Sequence, residues 1–268
     1  MKTYLIGRFF LLLVFGVSSI SCDAQSVETA PAIELVAMTY NIRHGAGADG
    51  EVNLERIANV ILSAQPDIVA VQEVDRFVER TNRADQATQL ADLTGMHMRF
   101  GFADNYQGGD FGNLILSKHP IDSLALHPLP GPPGETRVLM EALIHIGRGD
   151  QRVPVTFMST HLETIEFPRR ASAPLINNTI PVNPQHLYIL GGDLNATPQT
   201  PTMDTLAVKW TNPVLSSPVF TFPADSPDRQ IDYLLYNAPA TWSVKEVFAL
   251  DAPISSDHAP LVAVFKYE

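Results

Sequence analysis

The stretch SSDHAP near the C-terminus sets Asp257 and His258 side by side between small residues and a proline. A histidine is the natural base for taking a proton from water near neutral pH. It needs a carboxylate to fix its tautomer and to stabilise the imidazolium it becomes. Asp232, in RQIDYLL, is the candidate for that carboxylate. Asp257 points away from its neighbour if the segment is extended, which places it to reach a metal ion instead. Upstream, GGDLNATP puts Asp193 and Asn195 two apart behind the apolar run LYIL. In an extended segment, residues i and i+2 share a side, so this acid and amide could together hold a water nucleophile and a phosphate oxygen. The two glycines allow close backbone approach to a neighbour or ligand. Taken alone, Asp-x-Asn before Thr-Pro reads equally well as a turn.

His161, in STHLE, ends another apolar run. A lone histidine there is more often structural; beside the other residues it fits binding of a phosphoryl group and stabilisation of its charge. Glu73, in VQEVD, follows a run so apolar that its strand should be central, which sets the carboxylate at the mouth of the core. A hard cation suits that position: Mg²⁺, with Mn²⁺ as a substitute, takes oxygen ligands, one or two of them carboxylates, and leaves room for substrate phosphate. No Cys/His cluster has zinc spacing. Asn41, in MTYNIRHG, closes the first strand and by itself reads as a local turn residue.

The elements that must position these groups follow from periodicity. ELVAMTYN reads as a strand rich in apolar residues, and DIVAVQEV as a strand buried on both faces. NLERIANVILSAQ, capped by Asn53, and DQATQLADLTG, from Asp85 to Gly95, read as amphipathic helices. FGNLILSK, RVLMEALIHI, RVPVTFMST, LYILGGDLN, QIDYLLYN, WSVKEVFAL and PLVAVFKYE read as strands, and HPLPGPPGET as a turn-rich loop. FPRRASAPLINNTIPVNP carries Pro168, Pro174, Pro181 and Pro184, so at most a short helix is expected between prolines. Many short strands with few helices imply an α/β protein with two sheets packed face to face and helices outside, its chemistry on loops at one edge.

Of the 268 residues, 45% are hydrophobic and 18% charged, enough apolar material for one large core, so residues 34–268 are expected to form a single domain. The formal charge of −11 repels polyanions and argues against unspecific nucleic-acid binding. Residues 1–22 read as an export signal of lipoprotein type: Lys2 and Arg8, the apolar run FFLLLVFGV, then SSISC ending at Cys22, the expected lipidation site. Ordinary cleavage after Ala24 is the competing reading. The apolar run is too short for an ordinary membrane span. Residues 23–33 read as a tether. The protein is therefore expected to be exported, either lipid-anchored in a bacterial cell envelope or free in the periplasm or medium. With Cys22 lipidated or removed, no disulfide forms.

In order and approximate spacing, MTYNIRHG, VQEVD, FGNLILSK, STHLE, GGDLNATP, RQIDYLL and SSDHAPL resemble the endonuclease/exonuclease/phosphatase superfamily. That group includes pancreatic-type deoxyribonuclease, abasic-site endonucleases, neutral sphingomyelinases and inositol polyphosphate 5-phosphatases. The resemblance implies a four-layered α/β sandwich with two mainly antiparallel sheets, and Mg²⁺-dependent hydrolysis of a phosphoester. It implies metal-site roles for Asn41 and Glu73 with Asp257 as a further ligand, and orientation of water and phosphate by Asp193 and Asn195. It also implies transition-state stabilisation by His161, and His258 as a base supported by Asp232. Asn113, Arg43 and Arg83 become candidates for substrate contact, each equally readable as a turn or surface residue. The expected activity is that of an exported metal-dependent phosphodiesterase or phosphatase, a monomer acting on a small molecule or lipid headgroup. A nuclease, a sphingomyelinase-like enzyme and an inactive binding protein on the same fold are the alternatives. A nuclease would need a basic groove, whereas the arginines are scattered; an inactive binder should lack one of the motifs, and none is missing.

Overall fold

The computed structural model describes residues 1–4, 33–147, 152–181, 184–213 and 217–268. Ala32–Glu268 form one compact unit. Apart from residues 1–4 and Ile33, the expected export signal, Cys22 and the tether lie outside the described residues. Ile33 already belongs to the first strand, one residue before the expected start of the domain.

Two β-α-β units form the frame. In the first, β1 (Ile33–Asn41) runs parallel to β2 (Ile68–Arg76), with α1 (Leu54–Ser63) as the crossover. In the second, β7 (Val153–His161) runs parallel to β8 (Leu187–Asp193), connected through α3 (Glu166–Thr179). Parallel neighbours need such a crossover, and its helix covers an outer sheet face. The remaining elements are α2 (Gln86–Thr94), β3 (His97–Tyr106), β4 (Gly109–Ser117), β5 (Ile121–Pro130), β6 (Thr136–Ile146), α4 (Pro201–Leu206), β9 (Asp232–Asn237), β10 (Trp242–Ala249) and β11 (Leu261–Tyr267). They complete a six-stranded sheet ordered β10-β11-β1-β2-β4-β3 and a five-stranded sheet ordered β5-β6-β7-β8-β9.

Strand periodicity sorts the apolar residues into three layers of packing. From β1 and β2, Leu35, Ala37, Ile68 and Ala70 face the second sheet, where Met140, Phe157, Ile189 and Leu234 meet them. Their neighbours Met38, Tyr40, Val69 and Val71 pack outward on Ile57, Ile61 and Leu90 of α1 and α2. Ala173 and Ile176 of α3 cover Met158, Tyr188 and Leu190 on the far side. The result is the α/β/β/α sandwich that the sequence implied. The helix ends behave as read: Asn53 accepts from the Arg56 amide, Asp85 from the Thr88 amide, and Gly95 closes α2 at φ 68°.

Two expectations fail. HPLP is not loop but the end of β5, with Pro128 opposite Val138. This is an edge strand paired only with β6, the sheet position that tolerates proline. Nor is the segment after His161 limited to a short helix, since α3 runs for 14 residues through Pro168 and Pro174. Pro168 sits in the first turn, where an amide has no helical partner to lose, and burial of Ala173 and Ile176 offsets the one bond that Pro174 removes.

Candidate active site

The C-terminal ends of all four parallel strands point the same way across the sandwich, and the site forms there. Backbone register does much of the assembly. In the second sheet, His161 of β7 pairs with Asp193 of β8, and Asp193 with Asp232 of β9, so three functional side chains stand in one row. In the first sheet, β1 delivers Asn41 while a register shift in β2 between Val71 and Val74 re-aims Glu73, which sits at φ 59°. A bulge commonly re-aims a side chain beside an active site, and a left-handed glutamate is a conformation the surrounding fold must enforce. The Asn41 amide then spans the two sheets, donating to Glu73 Oε1 at 3.1 Å and Asp193 Oδ2 at 3.0 Å.

Asp193 and Asn195 are not two residues of one extended strand. β8 stops at Asp193, Asn195 adopts φ 48°, and its amide N–H donates to Asp193 Oδ1 at 2.9 Å. The turn reading of Asp-x-Asn is thus the one that forms, yet it still leaves both side chains on the cavity. The Asn195 side chain donates to the Leu162 carbonyl at 2.9 Å and lies 3.2 Å from His161 Nε2, which itself is 3.4 Å from Asp193 Oδ2.

His258 arrives from the loop before β11. Its Nδ1 is 2.9 Å from Asp232 Oδ2, its Nε2 3.7 Å from Asp193 Oδ2, and its ring packs 4.8 Å from that of Phe222. Ser256 fixes the loop by donating to the Asn41 carbonyl at 2.7 Å. Burial by itself lowers the basicity of His258, but the charge and hydrogen bond of Asp232, with Asp193 and Asp257 behind, push its pKa up to about 10. Burial and the Asp232 charge raise Asp193 to about 7, against the opposing pull of His258. His161 moves the other way: buried, and facing the positive charges of Arg137 and His258, it is held well below its usual pKa and stays neutral.

The donor set fits a hard cation. Ligand atoms of Asp193, Asp232 and His258 lie within 4.8 Å of one another. Asp232 Oδ1 is buried without a hydrogen-bond partner, and Asp193 is only 1% exposed. Adjacent buried carboxylates lacking a matching cation are costly, and a divalent ion coordinated by oxygen removes the cost. Asn41 and Glu73 adjoin this cluster through Asp193. Asp257 is set apart, its carboxylate 39% exposed and 3.7 Å from Arg43.

The floor opens into a cavity of about 820 Å³. Its lining includes Glu73, His161, Asp193, Asn195 and His258, but not Asn113, Arg43 or Arg83. Asn113 is buried in β4 and donates to the Val138 carbonyl at 3.3 Å; Arg83 is exposed, 3.5 Å from the Phe77 carbonyl. Four other arginines line the wall instead, Arg80, Arg137, Arg169 and Arg229, together with Phe111 and Phe222. Arg80 carries no sequence signal of its own, because the single 3-10 turn at Glu79–Thr81 is too short to show a periodicity that says which arginine faces inward. The nearest signal for Arg169 was the helix after His161, which its prolines concealed.

Comparison with known proteins agrees with this architecture. Residues 38–258 match the Endonuclease/Exonuclease/phosphatase family. An endonuclease/exonuclease/phosphatase from Beutenbergia cavernae superimposes with a TM-score of 0.70 at 22% identity, over 87% of this chain and 72% of that one. A mannosyl-6-phosphatase from Bacteroides thetaiotaomicron gives 0.69 at 18% identity, over 85% and 98%. The catalytic domain of human Nocturnin, with bound sulfate, gives 0.66 at 21% identity, over 88% and 95%. At these identities the likeness establishes the shared fold.

Proposed function

The chain belongs to the endonuclease/exonuclease/phosphatase family, whose members are phosphoric ester hydrolases, and on that premise we propose that it is an exported, Mg²⁺-dependent phosphoesterase using His258 to activate water. The observation that carries this reading is the His258–Asp232 contact of 2.9 Å on the same floor as Asp193, Asn195 and His161.

Asp232 engages Nδ1 and so leaves Nε2 of His258 to face the water; the surrounding carboxylates hold the ring protonated in the cation-free protein, and a divalent cation beside them would offset their charge and let Nε2 act as the base. Asn195 and Asp193, fixed to each other by the turn, orient that water and one phosphate oxygen. Neutral His161 stabilises charge growing on the phosphoryl oxygens. Glu73, Asn41 and Asp193, with Asp232 Oδ1 nearby, are the groups that would hold the cation. A bound divalent ion supplies Lewis acidity at the phosphate and a counter-charge to these carboxylates.

The structure gathers four arginines on one wall, but three are paired with carboxylates and Asp104 and Glu135 share the cavity, which with the net charge of −11 favours a small phosphoester or a lipid headgroup over a nucleic-acid strand. Export and lipid anchoring at Cys22 rest on the order of charged, apolar and small residues in the first 22 positions. The test is release of p-nitrophenol from bis(p-nitrophenyl) phosphate and from p-nitrophenyl phosphate, with Mg²⁺ and with chelator. Metal-dependent release supports the proposal, and the preferred ester separates diesterase from phosphatase. Activity that survives chelation, or no hydrolysis of either ester, would contradict it. Mass spectrometry of the mature N-terminus tests the anchor.

A further inference from the structure

The four arginines of the cavity wall are not equivalent. Arg80 is held by both oxygens of fully buried Asp75 at 2.8 Å, and lies over the ring of Tyr106 at 4.5 Å. Arg137 is paired with buried Glu163, and Arg229 with Asp228 at 2.7 Å. These three charges are already matched. Among the described residues Arg169 forms no ion pair. Its Nη1 instead donates to the carbonyls of Glu163 and Thr164 at 3.2 and 2.6 Å, and its Nε is buried without a partner.

The carbonyls that hold Arg169 belong to the chain immediately after His161, so the guanidinium is fixed relative to the floor. Two carbonyl contacts restrict its position but leave its full positive charge, partly removed from water, on the cavity side. Such a charge is costly unless an anion completes it, and with both Nη1 protons taken by carbonyls and Nε buried, Nη2 is the nitrogen left to donate to an anionic oxygen. Thr164 and Thr200 line the same wall; the Thr200 hydroxyl donates to the Thr197 carbonyl at 2.9 Å and keeps its lone pairs to accept from a substrate hydroxyl. Asp104 and Glu135 also line the cavity, so an anion is admitted only where a cation faces it.

We infer that Arg169 receives a second anionic group of the substrate, and that the cavity selects compact, hydroxylated phosphoesters bearing a further phosphate or carboxylate. The assignment of the reacting phosphate to the floor rests on the phosphoesterase reading above; the anion contact at Arg169 does not.

The experiment measures binding rather than turnover. Mg²⁺-loaded His258→Ala protein is titrated calorimetrically with fructose 1,6-bisphosphate against fructose 6-phosphate, and with 3-phosphoglycerate against glycerol 3-phosphate, with and without Arg169→Met. In at least one pair the compound with two anionic groups should bind more tightly, and Arg169→Met should weaken it roughly 10- to 100-fold, the worth of a charged hydrogen bond, while its partner moves less than about threefold. The pair that responds tells phosphate from carboxylate. Arg170→Met, at the exposed neighbour paired with Glu166, should change neither. If Arg169→Met does not fold, Arg169→Lys decides by the same comparison, with a smaller loss for the doubly anionic compound. Equal weakening within both pairs would reduce Arg169 to a brace for the 163–164 loop and overturn the inference, as would equal affinity within both pairs before mutation. If wild-type protein hydrolyses no phosphoester while the Arg169-dependent difference persists, the enzymatic reading falls and the anion receptor stands.

Discussion

The floor and the wall of one cavity treat charge in opposite ways. On the floor, Glu73, Asp193 and Asp232 crowd together, share Asn41 and His258 as partners, and leave Asp232 Oδ1 with none. On the wall, Arg80, Arg137 and Arg229 each have a carboxylate of their own, and Phe111 and Phe222 sit beneath Arg80 and Arg229. A matched pair is finished when the chain folds. An unmatched group is finished only by something that binds, so the unmatched groups mark where ligand belongs: a cation on the floor, and an anion at Arg169, the exception on the wall.

Mutations should divide along the same line. The largest effect is expected on the floor: His258→Ala should lower kcat by roughly 100- to 10,000-fold with unchanged circular dichroism, the range of a lost general base. Near-wild-type turnover would end the assignment. Glu73→Ala should lower activity on a similar scale, and titration with Mg²⁺ should show part of that loss as weaker metal dependence. Asp232→Asn should cost less than removing the histidine, and NMR titration of the cation-free protein should show the His258 pKa falling from its raised value toward the free one.

On the wall the expected loss is of stability. Asp75→Asn leaves Arg80 uncompensated in a partly buried site and should cost about 3 kcal/mol of unfolding free energy, with turnover per folded molecule little changed. A catalytic collapse without destabilisation would erase the distinction between the two regions. The smallest effect concerns pH. His258 is raised, so its contribution to stability is complete below its unfolded pKa near 6.5 and is lost as pH rises through about 10. Asp193, a raised carboxyl, favours the folded state while protonated and loses that contribution as pH rises through about 7. Both signs agree, so the floor's contribution to the Tm of cation-free protein should fall from pH 4 to 10, Mg²⁺ should restore it on the alkaline side, and Asp193→Asn should flatten the lower half of that profile.

The same contrast explains what could be read from sequence. Strands β1, β7 and β8 are buried on both faces over most of their length, so each is a largely apolar run, and the residues ending them, Asn41, His161 and Asp193, inherit a defined place. β3 escaped notice because exposed and half-buried residues dominate HMRFGFADNY, and the end of β5 because its prolines signal a turn everywhere except at a sheet edge. The bulge at Glu73 is set by pairing with β4, distant in sequence, whereas the Asp193–Asn195 turn is local and is one of two equal readings of Asp-x-Asn. The wall was the least readable part. Arg80, Arg137, Arg169 and Arg229 come from a loop, a strand start, a helix and another loop, and only the packed sheets bring them to one cavity.

Anomalous scattering from crystals soaked in Mn²⁺ tests the floor most directly. A single strong peak coordinated by Glu73 and Asp193 is the result expected here; Mn²⁺ bound only elsewhere, or no peak at millimolar metal, would contradict the account.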